Sequence, residues 1–324
     1  MMDKVEKFAL GRSGNGRGGD RGRLSIGLVN AMPDASLRVT ELAFAGLLKD
    51  APGGVDVRLT LFTLPQIPRS AETRARMEGF YAGIDALGAA GLDALIVASE
   101  DQNVPAVWDS LRSLIDAADT AGLSMLFSGG AALAAVRHLS AIAAHELPRE
   151  RTGIFTAARD GEHALLANMP AQWPVPHAAC KALPPSALTA QNYQILSRLT
   201  DGAVDSFLRQ ERGLCLFLAG HPEYEPRALA RRFLTGMAAF AEGGAMPPMP
   251  VHYFDRLTEN RIAELTGRQV RDFSAYQKLV QSAVPFAGWR PHALKQCAAW
   301  LAAIAQEKQA KNAAAARAGR RRRA

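Results

Sequence analysis

Residues 94–127 read ALIVASEDQNVPAVWDSLRSLIDAADTAGLSMLF, and this stretch decides the fold class. Ala94–Ala98 is a short apolar run without alternation, the mark of a strand buried on both faces. Pro105 suits the first turn of a helix, where the missing N–H has no intrahelical partner to lose. The spacing predicts a helix to about Ala121, with Val107, Leu111, Leu114, Ile115 and Ala118 on one stripe. Gly122 closes it, and Ser124–Phe127 begins a second buried strand. Strand, helix and strand within some thirty residues imply parallel strands joined by a covering helix.

The same grammar extends outward. Leu24–Val29 (LSIGLV) reads as a first strand, Arg38–Leu48 as a helix, and Val55–Phe62 (VDVRLTLF) as an alternating strand. Together they predict an α/β protein with a parallel sheet wrapped by helices on both sides. Past Gly153 the signals change. Ile154–Thr156, His163–Leu166, Leu188–Leu196 and Val204–Leu208 read as short strands separated by polar turns, an antiparallel extension of the sheet. Leu214–Ala219 returns to the buried core. Two helices follow, Pro226–Phe240 and Pro291 to about Gln306. No linker-like stretch or internal repeat interrupts residues 23–306, so one domain is expected.

Composition bounds the function. The 324 residues are 48% hydrophobic and carry a formal charge of +7. That charge gathers at the ends, in a Gly/Arg-rich segment at 1–22 and in a tract at 307–324 that finishes AGRRRRA. Such tracts bury little apolar area and are expected to be disordered; weak nucleic-acid contact through them is one partner reading. Three scattered cysteines (Cys180, Cys215, Cys297) form no disulfide framework and favour a reducing cytoplasm. No run reaches the length of a membrane span, no secretory signal is evident, and His177, His252 and His292 lack metal-ligand spacing. No cofactor or metal is expected.

Sites in open α/β sheets form beyond the carboxyl ends of the strands. Two strand ends stand out. Leu214–Tyr224 reads LCLFLAGHPEY, a buried strand running into His221-Pro222-Glu223, where a proline fixes the backbone between imidazole and carboxylate. Such a pair can serve as base and orienter for a nucleophile. The second is Leu126–Arg137, a strand, a turn at Ser128-Gly129-Gly130 and a helix. A sharp turn of this kind needs small residues, and a nucleophile on it would face a helix N-terminus.

At this point the sequence resembles the homoserine O-acyltransferase (homoserine O-succinyltransferase) family, a branch of the class I glutamine-amidotransferase fold with its flavodoxin-like sheet. The blocks that carry the resemblance are Val29–Ser36 (VNAMPDAS) with Thr40-Glu41, Val136–Ile142 (VRHLSAI), Gly153-Ile154-Phe155 and Pro176-His177. Gly220–Pro226 (GHPEYEP), His252–Asp255 (HYFD) and Trp289–Ala293 (WRPHA) complete them in order, across Leu24–Gln306. The resemblance implies acyl transfer from an acyl-coenzyme A co-substrate to the hydroxyl of homoserine, through an acyl-cysteine, in methionine biosynthesis. His221 and Glu223 match the family's catalytic pair, and a homodimer is implied.

The departures are systematic. Counted back from VRHLSAI, the family cysteine falls on Gly129; aligned by the small residue after it, on Ser128. The family's Pro-His-Ser-Arg reads Pro176-His177-Ala178-Ala179, so the arginine position holds Ala179. The glutamate and arginine expected on the helix after GHPEY fall on Arg232 and Thr235. A lysine expected after Asn-x-Met-Pro is absent from Asp34–Leu37, and a Gly-rich loop reads Ala98-Ser99-Glu100-Asp101. Three readings follow: a catalytically degenerate or repurposed homologue that keeps a small-ligand cleft; an active acyltransferase or hydrolase using Ser128, His221 and Glu223 on another acceptor; or a binding protein acting through its basic tails.

Overall fold

The computed structural model describes residues 8–10, 23–100 and 105–321. Four parallel strands form its centre: β2 (Leu24–Asn30), β3 (Val57–Thr63), β5 (Ala94–Ser99) and β6 (Ser124–Gly129). The outer edge of β3 is shared by β1 (Phe8–Leu10), antiparallel, and β4 (Tyr81–Gly83), parallel. On the other side β11 (Leu214–Leu218) pairs in parallel with β6. Beyond it the sheet turns antiparallel through β10 (Val204–Gln210), β9 (Gln194–Leu199), β7 (His145–Arg159) and β8 (Gln172–Ala182). The expected α/β architecture with an antiparallel extension is present.

Strands β2, β5, β6 and β11 are buried on both faces, which is why their sequences run apolar without alternation, whereas β3 alternates. One face, with Leu28, Ile96, Leu126 and Leu216, packs against α1 (Asp34–Asp50), α6 (Ala228–Ala241) and α9 (Arg290–Arg321). The other, with Val97, Phe127 and Phe217, packs against α3 (Pro105–Thr120) and α4 (Gly130–Ser140). There Phe127, Phe217 and Phe207 stack across three adjacent strands, with centroids 5.1 and 4.8 Å apart. Two short helices, α2 (Ala71–Met77) and α5 (Pro185–Ala190), and two longer ones, α7 (Arg256–Gly267) and α8 (Phe273–Ser282), complete the described residues.

The structure corrects several local readings. His163–Leu166, expected as a strand, is a single 3₁₀ turn in which His163 Nδ1 accepts from the Leu165 N–H at 3.1 Å. The front of the expected Leu188–Leu196 strand is α5, started by Pro185; Asn192 at φ 59° then turns the chain into β9. β8 escaped notice because Pro174 and Pro176 argue against a strand. It is an edge strand, where a missing N–H costs no ladder bond on the open side. Finally, α9 continues to Arg321 instead of ending near Gln306, through alanines with high helix propensity.

Candidate active site

The parallel strands β2, β5, β6 and β11 deliver their carboxyl ends to one cleft, a cavity of about 300 Å³. Its lining includes Ser99, Ser128, Gly129, Cys180, His221 and Glu223. Strands β6 and β11 are neighbours, with Ser128 in register with Leu218. The turn after each therefore emerges at the same level, which brings residues 129 and 221 face to face.

The backbone holds the β11 turn from three sides. The Ala219 N–H donates to Asp205 O and the His221 N–H to Pro176 O, both at 2.8 Å. Trp289, fully buried, donates from Nε1 to Tyr224 O at 3.2 Å. Below the turn, His177 Nε2 and Asp205 Oδ1 lie 2.9 Å apart, both buried, and Ser197 Oγ donates to Asp205 Oδ2 at 2.7 Å. Gly220 sits directly on this pair: a Cβ there would lie 2.8 Å from both Asp205 Oδ1 and His177 Nε2. Only glycine allows so close an approach.

Within the turn, His221 Nδ1 bonds Glu223 Oε1 at 2.9 Å. Ser128 Oγ donates to the same oxygen, also at 2.9 Å. A carboxylate oxygen only accepts, so Nδ1 is the donor of this bond and Nε2 is left to face the cleft. The imidazole is stacked flat on Tyr224, with centroids 4.3 Å apart and 5° between planes. Burial and the Glu223 charge push the Tyr224 phenol well above its usual range, so it stays neutral. The result is an imidazole held in one orientation, with its Cε1–Nε2 edge facing the β6–α4 junction.

At that junction Gly129 takes φ 63° and ψ −130°, a sharp strand-to-helix bend that side chains rarely adopt. A Cβ built there would point at the imidazole, 2.9 Å from Cε1 and 3.8 Å from Nε2 of His221, and 3.1 Å from Ser99 O. Gly129 therefore occupies the tip of the bend. Ser128 sits one residue before it, with its hydroxyl bonded to Glu223 Oε1. Side chains alternate along a strand, so Ser128 shares the inner face with Leu126 and reaches Glu223 from behind; its residue is 2% exposed.

The remaining predicted positions divide. Ala179 and Arg232 line the cavity; Arg232 is paired at 3.0 Å with Glu150 of β7. Glu100 lines it as well and accepts from Ser36 Oγ at 3.1 Å. Thr235 is exposed on α6, outside the lining, with its hydroxyl donating to Arg231 O. Asp101 lies outside the described residues. Cys180, an exposed thiol in the cleft, is a lining residue that its sequence context did little to mark. Cys215 and Cys297 are buried, and burial pushes both thiols up to about 12. Among the described residues, no group of three or more His, Cys, Asp or Glu could hold a metal ion, and no helix is long and apolar enough to cross a membrane.

A parallel α/β sheet with a sharp strand–helix bend at Gly129 facing a bonded His221–Glu223 pair defines the class of fold and cleft to which the chain belongs. The family model for homoserine O-succinyltransferase matches residues 9–310. The chain is 39% identical over 239 residues to the homoserine O-succinyltransferase of Methylorubrum extorquens, covering 72% of this chain and 71% of that one. It is 38% identical over 246 residues to that of Rhodopseudomonas palustris, covering 74% of each. The chain belongs to the homoserine O-succinyltransferase family. Among solved structures, a glutamine amidotransferase of Thermotoga maritima aligns with 80% of this chain and 99% of its own, at TM-score 0.47 and 10% identity.

Proposed function

We propose that this chain is a homoserine O-succinyltransferase homologue whose cleft binds a small acyl or amino-acid ligand without passing the acyl group through the protein. One observation carries the reading: the residue facing His221 at the tip of the bend is Gly129, which has no side-chain atom to acylate. The family reaction implied by the sequence, acyl transfer from an acyl-coenzyme A to homoserine in methionine biosynthesis, needs a thiol at this point. The cleft around it supports a changed ligand, since Ala179 offers no charge and Arg232 places a cation in the lining.

A second reading is favoured by the orientation of His221. Its Nε2 can take the proton of a bound hydroxyl or water as that oxygen attacks an acyl-coenzyme A thioester; the C–S bond breaks and coenzyme A leaves as a thiolate that takes up the proton. One assay separates the two. Purified protein is incubated with succinyl-coenzyme A, with and without homoserine, while thiol release and intact mass are followed. The first reading expects no mass adduct and no release above buffer. Release without an adduct, abolished in H221A and kept in S128A, establishes the second. An acyl adduct on Ser128 overturns both.

A further inference from the structure

A second cavity, of about 440 Å³, lies beyond the carboxyl end of β3 and shares no lining residue with the cleft. Thr63, the last residue of β3, contributes to its wall, as does Tyr81 at the start of β4. Leu64, Ile67 and Met77 are buried and give it an apolar lining. Its charged residues are Arg69, Arg74 and a single acid, the exposed Glu78.

Two polar atoms of this lining have no partner. Thr63 Oγ1 and Arg69 Nε are both buried and make no hydrogen bond. Such atoms are rare in folded proteins because each costs the free energy of its lost hydration. The rest of the Arg69 guanidinium is committed to the connection between β2 and α1. Nη1 donates to Met32 O at 2.5 Å and to Asp34 Oδ1 at 3.2 Å, and Nη2 to Asn30 O at 3.4 Å. The side chain is thereby clamped, only 6% exposed, and cannot turn to serve Nε elsewhere. Tyr81 is already satisfied: its hydroxyl accepts from Asn30 Nδ2 at 3.2 Å and donates to Glu41 Oε2 at 3.5 Å. Arg74 donates to Arg69 O and pairs with no acid among the described residues.

We propose that this cavity binds a small monocarboxylate with an apolar body, one carboxylate oxygen accepting from Arg69 Nε and the other from the Thr63 hydroxyl. An arginine Nε only donates, so its partner must be an acceptor, and a charged acceptor makes the stronger bond. Asp34 already neutralises Arg69, which leaves Arg74 as the cation that offsets the ligand's charge. The apolar residues cover the ligand's body, the usual division of labour in a small-molecule pocket. A lone water could serve the two polar atoms but would leave most of the cavity unfilled.

The test is isothermal titration calorimetry of the full-length protein with benzoate, and with benzamide as the neutral analogue of the same shape. Benzoate is expected to bind saturably and benzamide about tenfold more weakly. T63V keeps the side-chain shape without the hydroxyl and should weaken benzoate about tenfold. R74A, a change at an exposed residue, should weaken it about threefold. Circular dichroism checks that both variants keep their fold. R232A, which alters the cleft instead, should bind benzoate as the wild type does, so the result is independent of what the cleft holds. Absence of saturable benzoate binding overturns the proposal, as does benzamide binding equally well. So does wild-type affinity in T63V or R74A, which would leave the cavity to water, or a loss in R232A, which would place the ligand in the cleft.

Discussion

Two adjacent strand ends face each other across the cleft. The turn after β11 carries a complete set of side chains: His221 and Glu223 bonded to each other, stacked on Tyr224 and seated on a buried His177–Asp205 pair. The bend after β6 turns sharply from strand to helix, with φ 63° and a Cα aimed at the imidazole, and has no side chain at its tip. Backbone form and side-chain chemistry are thus separable. The bend follows from a buried strand feeding a helix packed on the sheet, and it forms with glycine at its tip.

The comparison can be broken most forcefully on the β11 side. In D205A, His177 and Ser197 lose a buried partner, and removing one half of a buried pair costs about 3–5 kcal/mol. Chemical denaturation should show that loss; a cost under about 1 kcal/mol would mean the pair does not support the turn. On the β6 side, G129A forces a side chain into a positive-φ bend and against His221 Cε1 at 2.9 Å. The expected cost is about 1–3 kcal/mol, and an unchanged midpoint would mean the bend is unstrained. G129C sharpens the contrast further: peptide mapping after iodoacetamide should find label at residue 129 in addition to that on the exposed cleft thiol Cys180, which the wild type shares.

S128A should be milder. It removes one of two donors to Glu223 Oε1, and since His221 still satisfies that oxygen the loss should be about 1.5 kcal/mol, the low end for a hydrogen bond to a charged group. Smallest is a pH effect remote from the cleft. Asp255 and Asp272 cap α7 and α8, and hydrogen bonds from Thr258 and Ser274 hold their carboxyls below the usual aspartate value of 3.8. A depressed folded-state value stabilises the fold at all pH above the unfolded one, and the benefit is lost as pH falls through the lower folded value. Thermal midpoints should therefore hold from neutral pH to about 5 and decline only below it, and D255N should flatten that acid limb.

Much of this was legible in the chain. The apolar runs at 24–29, 94–98, 124–127 and 214–219 became the central strands because burial on both faces leaves no other pattern. The GHPEY turn announced its pair through the proline between them. Where local signals conflicted with context, the reading failed: prolines hid β8 because edge position is not written in a strand, and Pro185 began a helix inside an expected strand. The capped helices α7 and α8 went unread although Asp255 and Asp272 mark their starts.

The site divided along the same line. Sequence alone determined the order of the strands' apolar runs, the histidine–glutamate turn and the absence of cysteine from 126–131, since each depends only on residue identity and near neighbours. Tertiary structure alone decided between Ser128 and Gly129, because which of two adjacent residues faces the imidazole depends on the alternation of β6 and its register with β11. It also brought Lys308 of the last helix against Arg23 before β2, a matter of where that strand starts and the helix crosses it, which no local pattern encodes.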